Sequence, residues 1–105
     1  MYPVLPFLLI METLIKLDGG TAKGDSINAG AVNSRFSTTG KGMIACGAFN
    51  VAALEKFGYP AVRMQSPIRT IDELLGASAA QVNQYAAALG IDEQMTGRQC
   101  LELML

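Results

Sequence analysis

A chain of 105 residues has the length of one domain, and surface scaling hides about 65% of its unfolded area (~16,000 Å² falling to ~5,700 Å²), enough for a core without staples. Apolar residues make up 50% and charged residues 16%, which excludes disorder, while eight basic against nine acidic side chains leave no cationic footprint for nucleic acid. There is no His, which excludes a Ser-His-Asp triad, a Cys-His dyad and every His-ligated metal site.

Residues 1–10 are apolar but carry neither a basic leader nor a small-residue cleavage site, so they do not read as a signal peptide. They are too short to span a bilayer, which takes ~20 apolar residues, because Glu12, Lys16 and Asp18 follow. A cytoplasmic protein without membrane contact is expected. Pro3 and Pro6 argue against a helix, leaving an apolar arm outside a single domain at residues 11–105. Two explanations stand: a strand that docks in an oligomer, or an extension upstream of a start at Met11.

Seven of the eleven glycines lie between Gly19 and Gly47, so turns punctuate the first half. Thr13, Ile15 and Leu17 alternate toward one side, and Asp18-Gly19-Gly20 offers positive-φ residues for a tight hairpin. Val32, Ser34 and Phe36 alternate with Asn33, Arg35 and Ser37, as in a sheet with one covered face and one that is wet or faces a partner. Gly40-Lys41-Gly42 precedes a short apolar strand at residues 43–46. An antiparallel meander of about four strands is expected.

After Gly47 the period lengthens: Phe49, Ala53 and Phe57 share a helical stripe beside Val51 and Leu54, stopped at Gly58-Tyr59-Pro60. Ala61-Val62-Arg63-Met64 reads as a strand parallel to residues 43–46, making a right-handed βαβ unit. Three helix starts follow as capping boxes: Thr70 with Glu73, Ser78 with Gln81, and Thr96 with Gln99. The second helix carries Val82, Tyr85, Ala86 and Leu89 and ends at Gly90, with Ile91 closing a Schellman contact. For the last, a staple between Met95 and Cys100 is expected, with an apolar side of Leu101, Met104 and Leu105. The fold class is α+β: a meander, a βαβ unit and three short C-terminal helices packed on the sheet.

Cys46-Gly47, Arg69-Thr70 followed by Leu74-Leu75, Leu89-Gly90-Ile91 and Thr96-Gly97-Arg98 occur in an order that resembles the YunC-like family, domain of unknown function 1805. The resemblance covers residues 44–105 and extends weakly back to Leu14. The chain departs from the family pattern at Ala45, where several members carry Met, at Pro67-Ile68, where the family has Gly-Val, and across residues 94–100. The resemblance implies a small uncharacterised α+β domain and a homotetramer formed through the β-rich region, here residues 11–46. Such an assembly would give the apolar arm somewhere to pack.

Arg69 and Arg98 sit at the starts of helices, where a cation opposes the macrodipole and an anion is favoured. The functional expectation is therefore a small anionic ligand framed by Arg69, Thr70, Thr96, Gly97 and Arg98, with Asn50 adding a polar contact. The plainer alternative pairs Arg69 with Glu73 and Arg98 with Glu102, each at i+4. Cys46 is a candidate catalytic nucleophile, placed between a strand end and a helix start that would favour its thiolate; the alternative is a structural cysteine, as for Cys100. Cys46, Arg69 and Thr70 all follow the carboxyl ends of the two parallel strands, where ligands of α/β sheets bind. With no CxxC pair, no calcium-loop spacing among the aspartates and no P-loop string, neither a metal nor a cofactor is expected. Whether the chain is an enzyme, a binding protein or an assembly module stays open at this point.

Overall fold

Two ten-residue strands, β1 (Leu8–Leu17) and β2 (Gly20–Ala29), pair antiparallel around a two-residue turn at Asp18 and Gly19 in this computed structural model. Residues 8–29 and 32–105 are described, so most of the arm expected at residues 1–10 lies outside them. Neither Gly19 nor Gly20 takes a positive φ. Their missing side chains serve packing instead, since a Cβ on either would come within 3.3 or 3.4 Å of Leu105.

β3 (Val32–Thr38) and β4 (Met43–Ala45) continue the antiparallel meander. β5 (Ala61–Met64) joins β4 in parallel, and β6 (Ala79–Val82) pairs antiparallel with β5. The six strands thus lie in sequence order in one mixed sheet. Among the described residues three short helices complete an α+β fold: α1 (Ile71–Gly76), α2 (Gln84–Ala87) and α3 (Gly97–Leu103).

Both faces of the sheet centre are covered. Alternation along β4 sends Ile44 to one side, where it packs with Ile15, Val62, Met64, Leu74, Leu101 and Met104. Met43 and Ala45 go to the other, against Val51 and Ala61 and the half-buried Phe36, Phe49, Leu54 and Tyr59. The strand period thereby feeds two apolar layers, with α1 and α3 over the first and the crossover at residues 47–60 over the second.

Two expected helices differ. The crossover between β4 and β5 is turns followed by a 3-10 helix, Ala53–Phe57, that ends at Gly58 with φ +67°. Phe49 stacks edge-on against Phe36 at 5.2 Å, while Phe57, placed on the same stripe by a 3.6 period, is 79% exposed. The expected helix start at Ser78 and Gln81 is strand β6: the ladder to Val62, Arg63 and Met64 and a bridge from Ser78 to Thr96 satisfy its backbone. Here long-range pairing outweighs the local capping pattern. The second helix starts at Asn83, whose Oδ1 accepts the Ala86 amide at 3.0 Å, and Gly90 ends that segment with φ +93°. Thr70 does cap a helix, although Glu73 reaches back to the Arg69 amide rather than completing a box, and the box at Thr96 starts the last helix.

Candidate functional site

The expected site residues fall into two neighbourhoods. The first lies at the carboxyl ends of β4 and β5. Cys46 is 5% exposed, its Sγ accepts the Arg35 amide at 3.3 Å, and its own amide donates to the Arg35 carbonyl at 2.9 Å. Gly47 brings that strand end against Ser66, because a Cβ there would lie 2.9 Å from the Ser66 Oγ. The Arg35 guanidinium donates from Nε to the Arg69 carbonyl at 3.2 Å and from Nη1 to Asn28 Oδ1 at 3.1 Å. Arg35 therefore ties β3 to the segment entering α1, a role its sequence position does not signal.

A turn, not a helix, follows Cys46: Phe49 donates its amide to the Cys46 carbonyl at 3.3 Å. The helix-start environment expected for this thiol is therefore absent, because Phe49 must turn back onto Phe36. Asn50 is spent locally, its Oδ1 accepting the Ala52 and Ala53 amides at 3.1 and 3.3 Å.

Arg69 pairs with Glu73 as its spacing allowed, with Nη2 3.3 Å from Oε2, while Glu73 Oε1 accepts the Arg69 amide at 3.0 Å. The Arg69 guanidinium, then its amide, hold the Glu73 carboxyl below its ordinary range. Arg98 does not pair with Glu102. Its Nη1 donates to the Lys16 carbonyl at 3.0 Å, and Glu102 instead accepts the Asp18 amide at 2.8 Å.

Arg98 and Thr70 belong to the second neighbourhood, a cavity of about 510 Å³ between β1 and the helices α1 and α3. Thr13, Lys16, Thr70, Asp72 and Arg98 form its polar lining, over an apolar floor that includes Ile15, Ile71 and Leu75. Cys46, Asn50, Arg69, Thr96 and Gly97 do not line it. The Thr96 hydroxyl accepts the Gln99 amide at 3.3 Å and its own amide donates to Gln99 Oε1 at 2.9 Å, a complete capping box. Gly97 is buried where a Cβ would overlap the Leu74 carbonyl; its role is to let α3 pack against α1.

Chemically, the cavity offers one guanidinium with most of its donors unused. Of five N–H groups, only the bond to Lys16 is made among the described residues. The Thr70 hydroxyl accepts the Glu73 amide at 3.1 Å and keeps its own proton to donate. Thr13, Lys16 and Asp72 were not expected here; they come together through packing across the length of the chain, for which a single sequence carries no local signal. Among the described residues, no group of three His, Cys, Asp or Glu is placed to hold a metal, and no helix is long and apolar enough to cross a membrane.

Comparison with known proteins adds the lineage. The crystal structure of a protein of unknown function, TA1206 from Thermoplasma acidophilum, superposes with a TM-score of 0.85 over 100% of this chain and 99% of that one, at 22% identity. At that identity the likeness speaks for the fold. No curated protein matches the sequence. The family model described as a domain of unknown function, DUF1805, matches residues 45–104, which reach from the end of β4 through α3 and include the Thr70 and Arg98 wall of the cavity. By that match over more than half its length, the chain belongs to the DUF1805 family.

Proposed function

We propose that the protein binds a small anionic ligand, a carboxylate, in the cavity between β1, α1 and α3. The observation that carries this reading is Arg98, a cavity-lining guanidinium with no carboxylate partner among the described residues. A guanidinium presents paired donors matched to a carboxylate, and the Thr70 hydroxyl in the same lining adds another. Asp72 in the same lining disfavours a second negative charge, which selects a monoanion over a phosphate. Arg69 contributes less than its position in the motif implies, because Glu73 already neutralises it.

Titration of the protein with simple carboxylates and with inorganic phosphate, followed by calorimetry and thermal shift, tests this. Carboxylate binding that Arg98→Ala abolishes and Arg69→Ala preserves is the expected result. Equal loss in both variants, or a preference for phosphate, would remove the cavity assignment.

An enzyme using Cys46 is the competing reading. Its support is the position at the ends of the parallel strands; against it, the thiol is almost wholly buried and the bond to it among the described residues comes from a backbone amide, not a base. Turnover that Cys46→Ser abolishes would favour it.

Assembly into a homotetramer through the N-terminal hairpin is a further part of the proposal, favoured by Leu14 at 76% exposure and Met11 at 59%. Leu14 lies opposite Lys23, with its side chain on the face of the hairpin opposite to that of Ile15. Sedimentation at micromolar concentration tests it: a monomer there contradicts assembly, and Leu14→Lys should shift an oligomer toward smaller species.

A further inference from the structure

We infer that the ligand of the cavity is the carboxy-terminal end of an extended peptide, added as a parallel strand to the free edge of β1 with its terminal carboxylate on Arg98. This rests on the carboxylate reading above and specifies what bears the carboxylate.

The hydrogen-bond parity of β1 points the same way from two directions. Leu17 and Gly20 are the partners that flank the two-residue turn, so they exchange both bonds, and odd residues of β1 direct their N–H and C=O groups at β2. Even residues then direct theirs out of the sheet. Two bonds agree with that assignment: the Lys16 carbonyl accepts from Arg98 and the Asp18 amide donates to Glu102. Side chains of α3 therefore occupy the edge beside the turn. Further along, the Lys16 N–H and the Leu14 N–H and C=O have no partner among the described residues, and both residues line the cavity.

An unpaired edge is ordinarily blunted by charge, proline or a covering element because it templates strand addition. Here it is left open where the cavity lies. In a parallel ladder one incoming residue bonds two positions of the host strand, donating to the residue before its register partner and accepting from the one after. A ligand residue in register with Ile15 would donate its N–H to the Leu14 carbonyl and accept the Lys16 N–H. If that residue is the last of its chain, the accepting group is a carboxylate, beside the guanidinium that Lys16 already holds. Backbone pairing of this kind is a general route of peptide recognition. The terminal side chain would share the face of Ile15 and meet Ile71 and Leu75, which selects an apolar residue.

The experiment compares three probes against the intact chain: acetyl-Ala-Ala-Leu with a free carboxylate, its carboxamide, and the free acid with an N-methylated last peptide bond. The free acid should bind, and both the carboxamide and the N-methyl form should bind roughly tenfold more weakly or worse, in line with loss of a charged or a buried hydrogen bond. Arg98→Lys should weaken the free acid while leaving the effect of N-methylation intact. An N-methyl peptide that binds as well as its parent overturns strand addition while leaving the carboxylate reading in place. Failure of the free-acid tripeptide together with the simple carboxylates of the titration above removes both. Strong hydrogen-exchange protection of the Leu14 and Lys16 amides in the peptide-free protein also overturns the proposal, since it would mean that a second copy already pairs with this edge.

Discussion

The side-chain amide of Asn83 donates to the Tyr59 carbonyl at 2.9 Å. The same nitrogen reaches the Val51 carbonyl at 3.2 Å, while Oδ1 accepts the amides of Ala61 and Ala86 at 3.2 and 3.0 Å. One side chain, 3% exposed, thus holds the crossover, the start of β5 and the first turn of α2. Asn83→Ala should destabilise the protein by about 3 kcal/mol or more, since it strands buried donors and acceptors worth ~1 to 3 kcal/mol each. Asn83→Ser, which can keep the cap, should recover roughly 1 kcal/mol of that loss. Urea denaturation of the three proteins checks both; equal stability of Ala and Asn at this position would show that water replaces every bond.

Gly97 opposes two effects of known sign. Alanine is favoured over glycine inside a helix by about 1 kcal/mol, yet a Cβ here would overlap the Leu74 carbonyl and stand 2.9 Å from Ile44 Cδ1. Overpacking against a fixed backbone costs ~1 to 3 kcal/mol or more, so Gly97→Ala should lower stability. Gly76 provides the contrast. A Cβ there meets nothing within 4 Å and its φ is not positive, so Gly76→Ala should be neutral or stabilising by up to about 1 kcal/mol. Chemical denaturation that ranks the two substitutions the other way would contradict the packing of α3 on α1.

The same comparison shows which features are legible along a chain. Thr96 with Gln99 is a local device: every partner lies within one turn, and the complete box forms. Ser78 with Gln81 has the same pattern and becomes a strand, because the partner that decides it is β5, whose ladder residues lie 15 to 20 positions upstream. The alternation in β1 and β3 and the parallel pairing of residues 43–46 with residues 61–64 were readable, since strand period and crossover rules are local in pattern. Arg98 shows the limit. Its i+4 partner was visible and unused, while the group it does meet, the Lys16 carbonyl, lies 82 positions away. Asn83 did carry a signal, an Asx residue just before Gln84-Tyr85-Ala86-Ala87, overshadowed by the earlier serine.

Arg69 and Glu73 give the acid side of the stability profile a sign. The Arg69 guanidinium and amide hold the Glu73 carboxyl below its ordinary value of 4.5, so the interaction favours the folded state above that value. It fades as pH falls through the lower folded-state value. Glu73→Gln should therefore differ most from the parent near neutral pH, with the gap in melting temperature closing in strong acid. Salt should shrink the neutral gap too, because the pair is exposed. A gap that persists unchanged into strong acid would show that the ionised Glu73 carboxylate is not its source.

On the alkaline side the relevant group is Cys100, fully buried in the main core. Burial, reinforced by the negative charge of Asp92, pushes its thiol from 9.0 up to about 11. In the unfolded chain the thiol ionises first, so between these two values the unfolded state holds fewer protons and stability falls as pH rises. Below pH 9 the full stability is present. The loss accumulates at ~1.4 kcal/mol per pH unit, on the order of 2 kcal/mol by the upper value. Tyr59, also raised by burial, adds a loss of the same sign that begins higher, above 10.0. Cys100→Ala separates the two. It removes a packed sulfur and should start less stable at neutral pH, yet its stability should fall less between about pH 8 and pH 10.5, the window fixed by the Cys100 shift. Urea midpoints of parent and variant at the two pH values provide the test: an identical fall in both proteins would mean that the thiol ionises in the folded core as readily as in water, contrary to its burial in the main core.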